Sequence, residues 1–200
     1  NLNDNNCLIL PGLKTRKLHA SRRDAFRAVN DEAIARVNVE DKKIEFLRSY
    51  VKKDMKRKPK VFPNMEEKVG IIKTHTNMNE KQFDFYKNYK GLVIEGTGLG
   101  VVPGDKKIIS VIKKLVKKMP VVMTSQTIFG RVNMDVYTPN RTLLNMGVIS
   151  GEDMTAETAF VKLAWLLKNN KKEARRLIGK NLRGEINNRL LKDMYLEEGW

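Results

Sequence analysis

One cysteine is all this chain holds. Cys7 has no partner for an internal disulfide, and that scarcity fits a reducing compartment. Histidine is almost as rare: His19 and His75 stand in separate segments with no cysteine beside them, which excludes a zinc set of ordinary ligand spacing. No serine lies in a G-x-S-x-G elbow and Cys7 has no glycine-led turn, so the common serine and cysteine nucleophile arrangements are missing. No apolar run approaches the roughly 20 residues of a membrane span, and no leader pattern opens the chain; a cytoplasmic location is the expectation. Acidic residues are in deficit, with 23 Asp and Glu against 39 Lys and Arg and a net charge of +16. Such a balance points either to polyanionic surroundings, RNA or an acidic partner, or to a solvated lysine-rich surface; it speaks to association and not to fold.

What is present is organised around Gly91–Gly104, GLVIEGTGLGVVPG. Leu92, Val93 and Ile94 suit a strand buried on both faces, and the run ends at Gly96, Gly98 and Gly100. Glycines at the carboxyl end of a strand allow close approach of a ligand or another chain, although a plain strand-to-helix turn has the same look. The spacing G-x-G-x-G is not the dinucleotide fingerprint, and Gly104-Asp105-Lys106 is not a phosphate loop, so neither NAD nor ATP is expected in this chain.

Hydrophobic residues make up 41% of the 200, enough for one good core, or for one domain and part of another. Asn1–Asn6 leads abruptly into a strand-like Cys7–Leu10, Lys14–His19 reads as a second extended piece, and Ile34–Leu47 as a hairpin turning at Glu40–Lys43. The opening has the look of a domain whose beginning is missing. Lys52–Glu66, KKDMKRKPKVFPNME, reads as a basic crossover, which puts a boundary near residue 60 and divides the chain into 1–60 and 61–200. Beyond it, strands at Val69–Thr74, Gly91–Glu95 and Val121–Ser125 alternate with helices at Asn79–Asn88 and Lys106–Met119, the pattern of βαβ units and a parallel sheet. In Lys106–Met119 an apolar stripe of Ile108, Val111, Ile112, Leu115, Val116 and Met119 faces the sheet, and the lysines opposite read first as a solvated face. Thr155 should cap a helix that buries Ala159, Phe160, Leu163, Ala164 and Leu167, and Lys171–Ile186 reads as a last helix.

Lys17 closes the second extended piece. A lysine partly withdrawn from water has its neutral form favoured and can accept a proton from a hydroxyl nucleophile, but a plain surface lysine fits the same residues. The pattern K-x-H-x-S-x-x-D-A-F at Lys17, His19, Ser21, Asp24, Ala25 and Phe26 resembles the catalytic-lysine segment of the asparaginase and glutaminase amidohydrolases. With the spellings SRRDAF, EGTGLG, TSQTIFGRVNMDVY and GEDMTAETAFVKLAW, the chain is similar throughout to the D-subunit of archaeal glutamyl-tRNA(Gln) amidotransferase.

That resemblance implies an α/β chain in which 1–60 closes an asparaginase-like catalytic domain and forms the basic crossover, and 61–200 is a smaller Rossmann-like domain with a parallel sheet flanked by helices. It implies a protein that releases ammonia from glutamine by threonine attack and pairs with itself. A partner E-subunit of the amidotransferase, holding ATP and magnesium and most of the tRNA(Gln) recognition, would amidate the tRNA-bound glutamate. Lys17 maps onto the catalytic lysine. The motifs T-G-G-T and H-G-T-D that carry the family's threonines and aspartate are not in these 200 residues, nor is any Thr-Asp dipeptide, so the chain reads as the carboxyl-terminal half of such a protein and by itself inert. Gly96, Thr97, Gly98, Leu99 and Gly100 are the candidate loop for a neighbouring protomer's active site, and Val101-Val102-Pro103 beside it the expected contact surface. Two alternatives stay open: a cytoplasmic L-asparaginase acting on asparagine, and a non-catalytic basic module that binds RNA or protein.

Overall fold

The computed structural model describes residues 5–190 and Tyr195. Two compact units divide between Phe62 and Pro63, and the described residues from Asn187 on belong with the first. The segment after Ile186 is therefore not part of the second unit, as a single stretch 61–200 would have had it. Asn187 Nδ2 donates to the Asn30 carbonyl, a residue of the first unit.

The first unit is made of short antiparallel strands. They are β1 (Asn6–Ile9), β2 (Thr15–Lys17), β3 (Phe26–Ala28), β4 (Ala35–Asn38) and β5 (Ile44–Phe46). β4 pairs with both β1 and β5, while β2 and β3 form a separate pair. The β4–β5 hairpin closes where the Asn38 side chain accepts from the Asp41 amide at 2.9 Å and Lys42 takes a φ of 53°, the left-handed conformation a tight turn requires. From Lys52 to Glu66 the chain is irregular and almost wholly exposed.

In the second unit, strands and helices alternate: β6 (Val69–Lys73), α1 (Glu80–Asp84) running into a 3-10 turn, β7 (Gly91–Gly96), α2 (Lys106–Lys118), β8 (Val121–Ser125), α3 (Thr138–Asn145), β9 (Ile149–Ser150), α4 (Ala156–Asn169) and α5 (Ala174–Leu177). The four strands are parallel, in the order β6-β7-β8-β9. Side chains alternate across each strand. Leu92, Ile94, Val121 and Met123 therefore pack under α1, α2 and α3 with Phe83, Ile108, Ile112, Leu115 and Leu143. Val93 and Val122 face the other way, against Ala159, Leu163 and Leu166 of α4. Both faces of the sheet are covered, the α/β arrangement that the alternating pattern predicts. Helix starts are fixed by side chains: Asn79 and Gln82 form a capping box on α1, Asp105 accepts from the Lys107 and Ile108 amides, and Thr155 accepts from Thr158.

Three sequence expectations change. Lys171–Ile186 is not one helix: a 3-10 turn at Lys171–Glu173 and the single turn of α5 precede an irregular segment. The cause is local competition for backbone donors. Glu185 accepts from the Leu182 and Arg183 amides, Asn181 Oδ1 accepts from Gly184, and Gly184 has φ 92°. That segment is fastened to α4 by Lys162, whose ammonium lies 2.7 Å from Glu185 Oε1 and also donates to the Ile178 carbonyl at 2.8 Å. Burial alone would raise the Glu185 pKa, but the hydrogen bonds from Lys162 and the backbone amides outweigh it and hold the carboxylate below its ordinary value.

The second change is an addition. α3 and β9 carry little apolar periodicity, yet Pro139 in the first turn of α3 and Gly147 just past its end, at φ 97° with its amide bonded to Leu144 O, are start and stop signals that mark a helix. The third concerns Val102, which is 2% exposed and packed in the core with Val132 and Met134. It cannot be the outer contact surface expected of Val101-Val102-Pro103, because the chain turns inward to lay its apolar side chain under α2.

Candidate functional site

Lys17 is the last residue of β2, in register with Phe26 of β3, and the pair is extended by the Leu18 amide bonded to Ala25 O at 2.7 Å. Its side chain is exposed, as the plain surface-lysine reading has it. The turn that follows is held by its own side chains. His19 Nδ1 accepts from the amides of Ser21 and Arg22 at 3.2 and 3.1 Å. Asp24 takes a bidentate pair from Arg22, both contacts at 2.8 Å, and a third hydrogen bond from Arg27 at 2.9 Å. The Arg22 hydrogen bond, with help from Arg27 and against the cost of burial, holds the Asp24 carboxyl well below the usual carboxylate range. Asp24 is thus a fixed anion that shapes the turn and has no free capacity as a base.

The second candidate lies in the other unit, at the carboxyl edge of the parallel sheet. The loop after β7 folds back on itself: Thr97 N donates to Val101 O and Val101 N to Thr97 O, each at 2.9 Å, and Gly100 N donates to Thr97 O at 3.0 Å. Its glycines have different reasons. At Gly96 an added Cβ would lie 2.6 Å from the Gly100 carbonyl carbon and 2.9 Å from Met123 Sδ, and Gly100 combines φ 97° with a Cβ position 2.8 Å from Met123. Gly98, at φ 51°, has open space around it. Gly96 and Gly100 are buried and serve internal packing, Leu99 is intermediate, and Thr97 and Gly98 form the exposed tip.

The neighbouring strand end steadies this tip. Ser125 Oγ contacts Gly98 O and lies 2.7 Å from Thr127 Oγ1, while Gln126 N donates to Gly96 O at 2.8 Å. Gln126 Nε2 reaches Thr74 Oγ1 and Glu95 O, both at 3.0 Å, as well as the Thr74 carbonyl, so one amide ties the carboxyl ends of β6 and β7 to β8. Gln126 lies in the block TSQTIFGRVNMDVY that carries the family resemblance, but nothing in the sequence marks its role as a tie between strands. The edge presents the hydroxyls of Thr97, Ser125 and Thr127 together with backbone groups, and these can bind and orient a ligand. Among the described residues no set of His, Cys, Asp or Glu could hold a metal, and no helix is long and apolar enough to cross a membrane.

The glycine assignments give a first expected result. Gly96→Ala should cost about 1–3 kcal/mol, because its Cβ meets backbone that cannot swing aside. Gly98→Asn should change stability by less than about 1 kcal/mol, since asparagine tolerates positive φ and has room. Urea unfolding midpoints of the two variants test this; equal losses would show that the loop is strained throughout.

Residues 68–177 match the family profile described as the Glutaminase/Asparaginase C-terminal domain. The chain belongs to the glutaminase/asparaginase family. Within that family, curated relatives named as the D-subunit of glutamyl-tRNA(Gln) amidotransferase are 47% identical in Methanobrevibacter smithii, over 93% of this chain and 43% of the relative, and 47% identical in Pyrococcus furiosus, over 92% and 42%. The chain therefore spans less than half the length of the relatives it matches. Among solved structures, the thermostable L-asparaginase from Thermococcus kodakarensis superposes with a TM-score of 0.81 at 27% identity, covering 90% of this chain and 55% of the enzyme. L-asparaginase I from Vibrio cholerae gives 0.78 at 27% identity, covering 92% and 56%. The matched family domain carries the Gly96–Gly100 loop, whereas Lys17 precedes it.

Proposed function

We propose that the chain is part of a glutaminase that supplies ammonia for converting Glu-tRNA(Gln) to Gln-tRNA(Gln). The observation that carries this reading is the high identity to proteins named as the amidotransferase D-subunit across more than nine-tenths of the chain, well above its likeness to the L-asparaginases. A threonine hydroxyl from outside these 200 residues attacks the amide carbon of glutamine. Its proton passes to Lys17, directly or by relay, and is returned to the amide nitrogen as the C–N bond breaks and ammonia leaves; water then hydrolyses the ester, releasing glutamate and restoring the threonine hydroxyl. A neutral lysine is needed for the first step. Since Lys17 is exposed in this chain, its desolvation falls to parts of the protein beyond these residues, or to a second protomer.

In this reading residues 1–60 close the catalytic domain, and Thr97 and Gly98, the exposed tip of the loop Gly96–Gly100, are offered to a neighbouring protomer's site in a homodimer. ATP and magnesium belong to the partner E-subunit, which makes most of the contact with tRNA(Gln), and the assembly works in the cytoplasm. L-asparaginase remains the second reading, favoured by the structural likeness to two such enzymes.

Ammonia release measures the difference. A protein carrying these residues together with the threonine motifs should hydrolyse glutamine, and with its amidating partner it should form Gln-tRNA(Gln). Residues 1–200 alone should release no ammonia above background, as the base is present without its nucleophile. Turnover of asparagine in strong preference to glutamine, with no amidation of the tRNA, would replace the first reading with the second.

A further inference from the structure

We propose that the solvent face of α2 is a docking surface for the phosphate backbone of a double-helical RNA. Its exposed positions are Lys106, Lys107, Ser110, Lys113, Lys114, Lys117 and Lys118, without one carboxylate in the helix. Thirteen residues at 1.5 Å each extend about 20 Å, with one lysine pair in the first turn and two pairs a turn apart in the carboxyl-terminal half, the reach of several phosphates.

The charge is only partly placed for the helix's own stability. Lys117 and Lys118 stand in the last turn, where the macrodipole favours cations, but Lys106 and Lys107 occupy the first, where it opposes them and acids are preferred. Lys113 and Lys117, and likewise Lys114 and Lys118, are like charges at i,i+4, an arrangement that repels. Acids near the face are already engaged. Asp105 caps α2, and Asp84 of α1 is bonded to Lys87 at 2.9 Å while also feeling Lys114 and Lys118. On the other side Arg175 of α5 donates to Val116 O and adds a further cation. The unit's ion pairs, such as Lys87–Asp84 and Lys162–Glu185, leave the six lysines out among the described residues.

The composition of the face selects its occupant. A folded protein partner needs an apolar core at the contact, and lysine is depleted in such interfaces. A membrane surface needs apolar residues to insert beside the charges, and a single-stranded nucleic acid needs aromatic platforms; this face has neither. Ammonium groups at both ends of one exposed helix face suit a ladder of phosphates, read by charge and not by sequence. The surface is independent of the glutaminase reading, since no residue of it takes part in that chemistry.

The test is fluorescence anisotropy of a labelled 20-base-pair RNA duplex against the full protein, across a salt series. Replacing Lys113, Lys114, Lys117 and Lys118 together with glutamine should weaken binding at low salt by about tenfold or more and reduce the salt slope by roughly 3–4, near one for each lysine. Arginine at the same four positions should restore most of the affinity. A matched variant with glutamine at Lys52, Lys53, Lys56 and Lys58 of the crossover removes equal charge and should leave the slope nearly unchanged. Equal losses in the two glutamine variants, or none from α2, would overturn the proposal, as would binding of polyglutamate but not of the duplex. Glutamine is a good helix former; should circular dichroism still show the quadruple variant unfolded, Lys106→Gln with Lys107→Gln decides by the same readout.

Discussion

Replacing Lys17 with methionine, in a protein that also carries the family's threonine segments, should lower kcat for glutamine by about 10²- to 10⁴-fold, the range for losing a general base. Stability should hardly move. The side chain is exposed, and the elements around it stand without it: the β2–β3 backbone pairing, the His19-capped turn, and the Arg22–Asp24–Arg27 cluster. Methionine keeps the stem and removes only the amine. Steady-state kinetics paired with thermal unfolding separates the outcomes, since a structural lysine would lower the melting temperature and spare turnover. A folded variant that keeps most of its activity would remove Lys17 from the mechanism.

Val102→Glu should act in the opposite way, on folding before anything else. At 2% exposure the position offers a carboxylate no water, and its surroundings in the core, including Ile108, Val132 and Met134, offer no hydrogen-bond donor from their side chains. An unpaired buried charge costs several kcal/mol, a large part of the 5–15 kcal/mol that holds a typical domain together. The second unit should lose its cooperative unfolding transition or become insoluble. A folded protein with only weakened self-association in sedimentation would instead return Val102 to the surface, where the sequence alone had put it.

These two residues show where sequence reasoning reaches its limit. The β7–α2–β8 core was legible because its apolar spacing follows the period of each element, and Asp105 and Thr155 are ordinary caps. Val102 sits in a strand-to-helix connection, where no period tells in from out. Lys171–Ile186 has helical composition, but the pairing of Glu185 with Lys162, 23 positions away, gives its backbone donors another use. In the candidate site, the glycines marked a tight loop without revealing that Gly96 and Gly100 are required by Met123 and each other. The role of Lys17 came from resemblance, not from its surroundings, which leave it in water. Gln126 stands in one of the family-like blocks, but its role lies in three acceptors that only the folded sheet brings together.

The strand order β6-β7-β8-β9 follows the order of synthesis. Each new strand can join the edge of the sheet as it leaves the ribosome, so the second unit can grow by addition, over short chain separations that favour rapid assembly. The first unit has a different timetable. Its Asn30 carbonyl waits for Asn187, 157 residues later, a delay of roughly 8–30 s at ordinary elongation rates of about 5–20 residues per second. Within these residues the earlier unit is thus closed by the later segment, and until that closure its half-exposed strands carrying Leu8, Ile9, Ile44 and Phe46 are where a nascent chain would most need a chaperone.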